Sequence, residues 1–232
     1  MTLWETIARA QSASGDEIVL RRRAEIFEIR YNGIELMSNL NHHSEDQLAL
    51  RTLRRCDFTA RHVLIGGLGM GYTLRGVLDL VGQGAEVTVC ELEPEIVAWN
   101  RGPLGPLAGR PLDDPRTRLI PGDVQAHLAG ARGAYDLILL DTDNGPDFLV
   151  RPENTGLYQG QGLAAVAGAL RPGGIAAFWS ATVSAPFERA LAAHPWAWIR
   201  EDIALMPGRV DAMHHIYSCS ADAARLGLRK AG

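Results

Sequence analysis

The 232 residues carry 47% hydrophobic and 22% charged side chains, enough to fold one large α/β body with a small appendage, and nothing in this composition points to disorder. A net charge of −4 offers no broad basic field for a phosphate backbone, so nucleic acid is not an expected partner. Lys230, the one lysine among 23 basic residues, lies near the end of the sequence, which argues against P-loop nucleotidases and pyridoxal-phosphate enzymes.

Cys56, Cys90 and Cys219 are odd in number and form no Cys-x-x-Cys pair, so buried thiols in a reducing cytoplasm are expected rather than a disulfide framework or a zinc knuckle. No window reaches the roughly 18 apolar residues of a membrane span, and the first residues lack an apolar stretch flanked by positive charge. No membrane is therefore expected.

A short opening helix is predicted first. Glu17 to Leu20 and Glu25 to Tyr31 then alternate apolar and charged residues, and Asn32-Gly33 supplies a hairpin turn before Ile34 to Met37. Arg21, Arg22 and Arg23 read as a solvated hairpin face. Residues 44–55 read as a helix with Ser44 as its N-cap.

From residue 62 strands and helices alternate: strands at 62–67, 86–92, 117–121, 135–141 and 174–180, helices near 70–81, 94–101, 123–130 and 161–170. Near-continuous apolar runs such as Leu137-Ile-Leu-Leu140 predict strands covered on both faces, hence a parallel sheet. Gly173-Gly174 is expected to end the last of these helices. A further helix ends near His194-Pro195, and strands around 198–205 and 214–219, joined by a Pro-Gly turn, must pair antiparallel. The tail from Ala221 reads as peripheral. Such a seven-stranded, mostly parallel, doubly wound α/β sheet resembles the Rossmann-like class I methyltransferase fold.

Gly66, Gly67, Gly69 and Gly71 follow the first parallel strand, where glycines admit φ > 0 and bring a ligand close to the main chain. Tyr72 stands where Gly-x-Gly-x-x-Gly needs its third glycine, which leans away from NAD and towards S-adenosyl cofactors. Glu91 ends the next strand, 22 residues after Gly69, placed to accept from both ribose hydroxyls. Asp123 could accept from an adenine amine while Val124 offers its amide, or could equally cap a helix.

Asp141 ends the most apolar strand, where desolvation should raise its pKa and an arriving amine should lower it. Asp143-Asn-Gly-Pro146 is a turn by composition. His42, His43, His214 and His215 lack His-x-x-x-His spacing, so no metal site is expected. His43 and Glu45 are placed to line a substrate pocket, and no Gly-x-Ser-x-Gly elbow supports hydrolase chemistry.

In this order the motifs resemble the spermidine synthase family over nearly the whole chain. Phe27-Glu-Ile-Arg-Tyr-Asn-Gly33 resembles its N-terminal hairpin, His43-Ser-Glu45 its Tyr-x-Glu, and Ile65-Gly-Gly-Leu-Gly-Met-Gly71 its glycine loop. Glu91-Leu-Glu93 is similar to its ribose-binding Glu-x-Asp, Gly122-Asp123 to its adenine-binding Gly-Asp, and Tyr135 to Asp143 to the strand presenting its catalytic aspartate. Leu157-Tyr158 resembles a following Leu-Tyr or Leu-Phe, placing Tyr158 with the substrate-binding residues.

The resemblance implies an N-terminal region over residues 1–43, an S-adenosyl-binding domain over 44–220 and a tail over 221–232, with Asp141 and Asp143 as catalytic candidates and a homodimer by analogy. Gly69, however, stands where the family has an aspartate holding the cofactor's free amine, and the Asp-Ser-Ser-Asp-Pro stretch is shortened to Asp141-Thr-Asp-Asn-Gly-Pro146. Loss of that aspartate removes a charge that would repel the carboxylate of intact S-adenosylmethionine. Methyl transfer from S-adenosylmethionine to a small acceptor such as an amine therefore ranks ahead of aminopropyl transfer from decarboxylated S-adenosylmethionine to putrescine or another polyamine. A non-catalytic adenosyl-binding regulatory protein ranks third.

Overall fold

Four strands, β1 (Glu5–Gln11), β2 (Glu17–Arg23), β3 (Ile26–Tyr31) and β4 (Ile34–Ser38), form an antiparallel sheet in the order β1-β2-β3-β4. The structure, a computed structural model, describes residues 3–142, 144–147, 149, 151–205 and 212–228.

β1 corrects the expectation of an opening helix. Its alanines, arginine and glutamine are adequate helix formers, but the segment pairs with β2 from Glu5 opposite Arg22 to Gln11 opposite Glu17. Ladder hydrogen bonds and the Arg22 to Glu5 ion pair outweigh a weak local preference. The arginine run is also more engaged than expected: Arg21 pairs with Glu28, and the guanidinium groups of Arg21 and Arg23 lie 4.2 and 4.7 Å from the Trp4 ring.

α1 (His43–Leu53) leads into the main sheet. His42 occupies its N-cap without a side-chain capping bond, its ring meeting Asp46 at 2.9 Å, and Ser44, expected there, instead donates to Glu45. Five parallel strands follow: β5 (His62–Gly66), β6 (Glu86–Glu91), β7 (Thr117–Pro121), β8 (Tyr135–Leu140) and β9 (Leu170–Ser180). β10 (Ala197–Ala204) and β11 (Met213–Ser220) close the sheet antiparallel, in the order β10-β11-β9-β8-β5-β6-β7.

The connecting helices are α2 (Tyr72–Leu80), α3 (Pro94–Arg101), α4 (Val124–Gly130), α5 (Gly160–Ala169) and α6 (Ala185–Ala193). β9 starts at Leu170, before the expected 174, because Leu170 already pairs with Tyr135 across a register shift. The glycine pair therefore lies inside the irregular start of the strand rather than at a helix end.

Neighbouring residues of one strand serve opposite layers. Val63, Ile65, Leu137 and Leu139 pack with Leu48 of α1 and Leu74 and Val77 of α2, while Leu64, Ile138 and Leu140 pack with Leu163 and Val166 of α5 and Phe187 of α6. Ile18, Leu20 and Ile29 of the N-terminal sheet join the first layer. The described part of the tail is docked too: Leu226 is buried, its carbonyl accepts from Arg55 at 3.3 Å, and Arg225 pairs with Asp57. Among the described residues, no helix is long and apolar enough to cross a membrane.

Candidate active site

β5 lies between β6 and β8, the point where the direction of strand addition reverses, and a ligand cleft opens there beyond the strand ends. The chain leaving β5 passes so close to β8 that a Cβ on Gly67 would sit 2.1 Å from the Asp141 carbonyl oxygen. Asn100 of α3 holds the loop from the other side, donating to the Gly69 carbonyl at 2.8 Å.

Glu91 ends β6 with its carboxylate turned back on this loop. Its two oxygens accept from the Leu68 amide at 2.9 Å and the Glu93 amide at 2.8 Å. Burial pushes the carboxyl upward and the amides oppose it. Each oxygen keeps a second lone pair for a hydroxyl. Asp123, exposed after β7, accepts from the Gln125 amide at 2.8 Å and so caps α4, while the buried Val124 turns into the cleft.

Asp141 leaves β8 with its amide bonded to the Gly66 carbonyl at 2.9 Å and its carboxylate accepting from Thr73 of α2 at 2.7 Å. Burial raises its pKa to about 6 against the Thr73 hydrogen bond. Glu45 reaches the same space from α1. Burial first, and the charge of Asp141 second, push it to about 7, opposed by the Ser44 hydrogen bond at 2.6 Å. Two desolvated carboxyls from distant parts of the chain thus titrate together near neutrality.

The cleft holds a cavity of about 120 Å³ and opens to solvent. Besides Gly67, Gly69 and these acids, its walls include Tyr31, Leu36 and Met37 of the N-terminal sheet, Glu93, Arg151 and Trp179. Arg151 is ion-paired with the buried Glu93 and donates to the Tyr31 hydroxyl at 3.5 Å. Met37 seats its thioether against the glycine loop, accepting from the Met70 amide at 3.0 Å.

The remaining candidates stand elsewhere. Gly66 and Gly71 shape the turn rather than line the cleft, Gly71 as the residue preceding α2. His43 is half-buried at the start of α1, outside the cleft wall that Glu45 enters. Tyr158 is buried in the aromatic core, its ring centroid 5.3 Å from Phe187 and 6.3 Å from Phe178. Asp143 lies outside the described residues. Met37, Thr73, Arg151 and Trp179 carry no local motif; only the tertiary packing brings them here.

The chain matches the family described as Spermine/spermidine synthase domain over residues 47–187. A segment of 82 residues is 39% identical to Polyamine aminopropyltransferase 1 of Streptomyces coelicolor, covering 34% of this chain and 15% of that protein's length. A crystal structure of a spermidine synthase in complex with the transition state analogue AdoDATO superposes with a TM-score of 0.79 at 18% identity, covering 96% of this chain and 75% of the other. The spermidine synthase of Thermotoga maritima gives 0.75 at 16% identity with the same coverage. At such identity the two structures speak to the fold alone.

These matches correct the expectation of methyl transfer, since family and relatives alike carry the names of aminopropyl-transferring enzymes. The physical reason is local. The lack of an aspartate at Gly69 lifts a repulsion, but the one guanidinium among the described cleft residues, that of Arg151, is ion-paired with Glu93.

Proposed function

The chain belongs to the spermine/spermidine synthase family, and from that premise we propose that it transfers an aminopropyl group from decarboxylated S-adenosylmethionine to a polyamine. The observation that carries this reading is the charge of the cleft: Glu45, Glu91, Glu93, Asp123 and Asp141 face a single paired arginine among the described lining residues. Such a surface suits a sulfonium and ammonium cofactor that has lost its carboxylate, together with a cationic acceptor.

In this reading Gly67 and Gly69 let the cofactor lie against the main chain, Glu91 accepts from the ribose hydroxyls, and Asp123 with the Val124 amide receives the adenine. The acceptor arrives as an ammonium ion. It gives a proton to the Glu45 and Asp141 pair, and the freed nitrogen attacks the methylene next to sulfur. The N–C bond forms, the C–S bond breaks with its electron pair left on sulfur, and methylthioadenosine departs. Alignment of nitrogen, carbon and sulfur supplies most of the acceleration, and the desolvated carboxylates supply the base.

Asp141→Asn tests the assignment. Calorimetry should show decarboxylated cofactor bound nearly as tightly as by the unaltered protein, while aminopropyl transfer falls by about 10²- to 10⁴-fold. Preference for intact S-adenosylmethionine would overturn the cofactor assignment, and undiminished transfer would remove Asp141 from the mechanism. Binding without any turnover in the unaltered protein would favour the regulatory reading.

A further inference from the structure

The two histidines that open β11 point to opposite faces, and they do different things. His215 meets Asp202 of β10 at 2.8 Å, an ordinary cross-strand contact. His214 turns towards the cleft wall: its ring packs edge-on against Trp179 at 4.7 Å, and its Nδ1 lies 2.8 Å from the Ser44 hydroxyl. Ser44 is itself 2.6 Å from Glu45 Oε2. A chain of two hydrogen bonds thus runs from β11 to the carboxyl that the charge of Asp141 helps to raise.

We infer that His214 is a positioning residue, which through Ser44 holds the Glu45 carboxylate in the orientation needed to accept the acceptor's proton. The proton count on the chain supports this direction. An ionised Glu45 only accepts, so the single Ser44 proton must point to it, and the Ser44 oxygen then needs a donor. That donor is His214 Nδ1–H. Burial, aided by the neighbouring His215, pushes the His214 imidazole down to about 4, so it stays a neutral donor throughout the range in which the carboxyls titrate.

Among the described residues, the charged and titratable groups that act on Glu45 are few. Asp141 faces it from the end of β8, Asp46 lies beside it on α1, and Tyr72 of α2, raised to about 12 by burial, remains neutral. Each of them leaves the Glu45 anion less stable or unaided. Ser44, backed by His214, is the side chain that favours it.

The inference rests on the reading of Glu45 and Asp141 as the base pair of the reaction, and its test separates the two. His214→Phe removes the donor but keeps an aromatic edge against Trp179; His214→Asn restores an N–H near the position of Nδ1. The pH dependence of kcat/KM for aminopropyl transfer, and the carbon-13 titration of the Glu45 carboxyl, are measured in both and in Ser44→Ala.

The acid limb and the Glu45 titration should both move up by about one pH unit in His214→Phe and Ser44→Ala, and return in His214→Asn. Equal rate losses in both His214 variants with an unmoved limb would reduce His214 to packing and overturn the inference. If the unaltered protein transfers no aminopropyl group, the carboxyl titration decides alone. A displaced Glu45 titration then supports the hydrogen-bond chain while the proposed function fails, and an unmoved one overturns it.

Discussion

Glu45 and Asp141 combine two costs that a small catalytic pocket must balance. Each carboxyl is raised from its ordinary value, to about 7 and about 6, chiefly by burial, so the folded protein binds these protons more tightly than the unfolded chain. The sign follows: their contribution to stability is full below pH ~4 and is lost as pH rises towards 7. Urea denaturation at pH 5 and pH 8 should therefore show Glu45→Gln flattening the decline. In the same window kcat/KM should rise with pH, since a protonated pair cannot take the acceptor's proton. Gly69 makes a second case at this scale. Its φ of +52° and the Met37 Sδ only 2.6 Å from a would-be Cβ mean that Gly69→Asp, designed to restore the family's aspartate, should cost about 1–3 kcal/mol in urea denaturation. Combined with Met37→Ala, the part of that cost due to the Met37 contact should be relieved, while the backbone strain at φ +52° remains.

Ser184 shows how one element end serves both a helix and the site. It caps α6 by accepting from the Phe187 amide at 3.2 Å, donates to Asp147 at 2.7 Å, and its own amide donates to the Tyr217 hydroxyl at 3.1 Å. Asp147 belongs to the connection that leaves β8 directly after Asp141, so the cap also anchors the chain beside the cleft. Ser184→Ala should destabilise by about 1–2 kcal/mol, read from a shifted urea midpoint with an unchanged slope. A loss below a few tenths of a kcal/mol would show that water replaces the cap. The early start of β9 is also an element-scale matter: Leu170 follows α5 immediately, and the register shift opposite Tyr135 to Leu137 absorbs the extra residues that local glycine chemistry would have assigned to a turn.

The N-terminal sheet and the main sheet share one apolar layer, which makes the cleft between them a property of the whole molecule. Ile18, Leu20 and Ile29 are fully buried in the cluster that holds Val63, Leu74 and Leu139. Ile29→Ala should therefore cost about 2–5 kcal/mol, and it should lower one cooperative transition rather than release the N-terminal sheet separately. Calorimetric melting with two resolved transitions would contradict this. Tyr31, Leu36 and Met37 come from that sheet and Glu45 from the helix that follows it, so loss of its docking would also open the wall of the site.

Read in order, the chain already declared its main sheet. Alternating burial of neighbours such as Val63 and Leu64 is written in the apolar runs, because a strand covered on both faces needs apolar residues at every position. Glu91, Asp123 and Asp141 were legible for a related reason: polar residues that end apolar strands fall at the sheet's ligand edge. β1 was not legible, since its composition permits a helix and only the neighbouring strand selects the ladder. Nor were Thr73 against Asp141, Arg151 against Glu93, or His214 behind Ser44, the last pair separated by 170 positions. Gly69 marks the divide most sharply. Its missing side chain suggested a changed cofactor, whereas the fold places Met37 against that spot and leaves an acid-lined cleft with its arginine already paired. Strand patterns and strand-end acids follow from short-range periodicity; what faces those acids across the cleft is set by packing between distant segments.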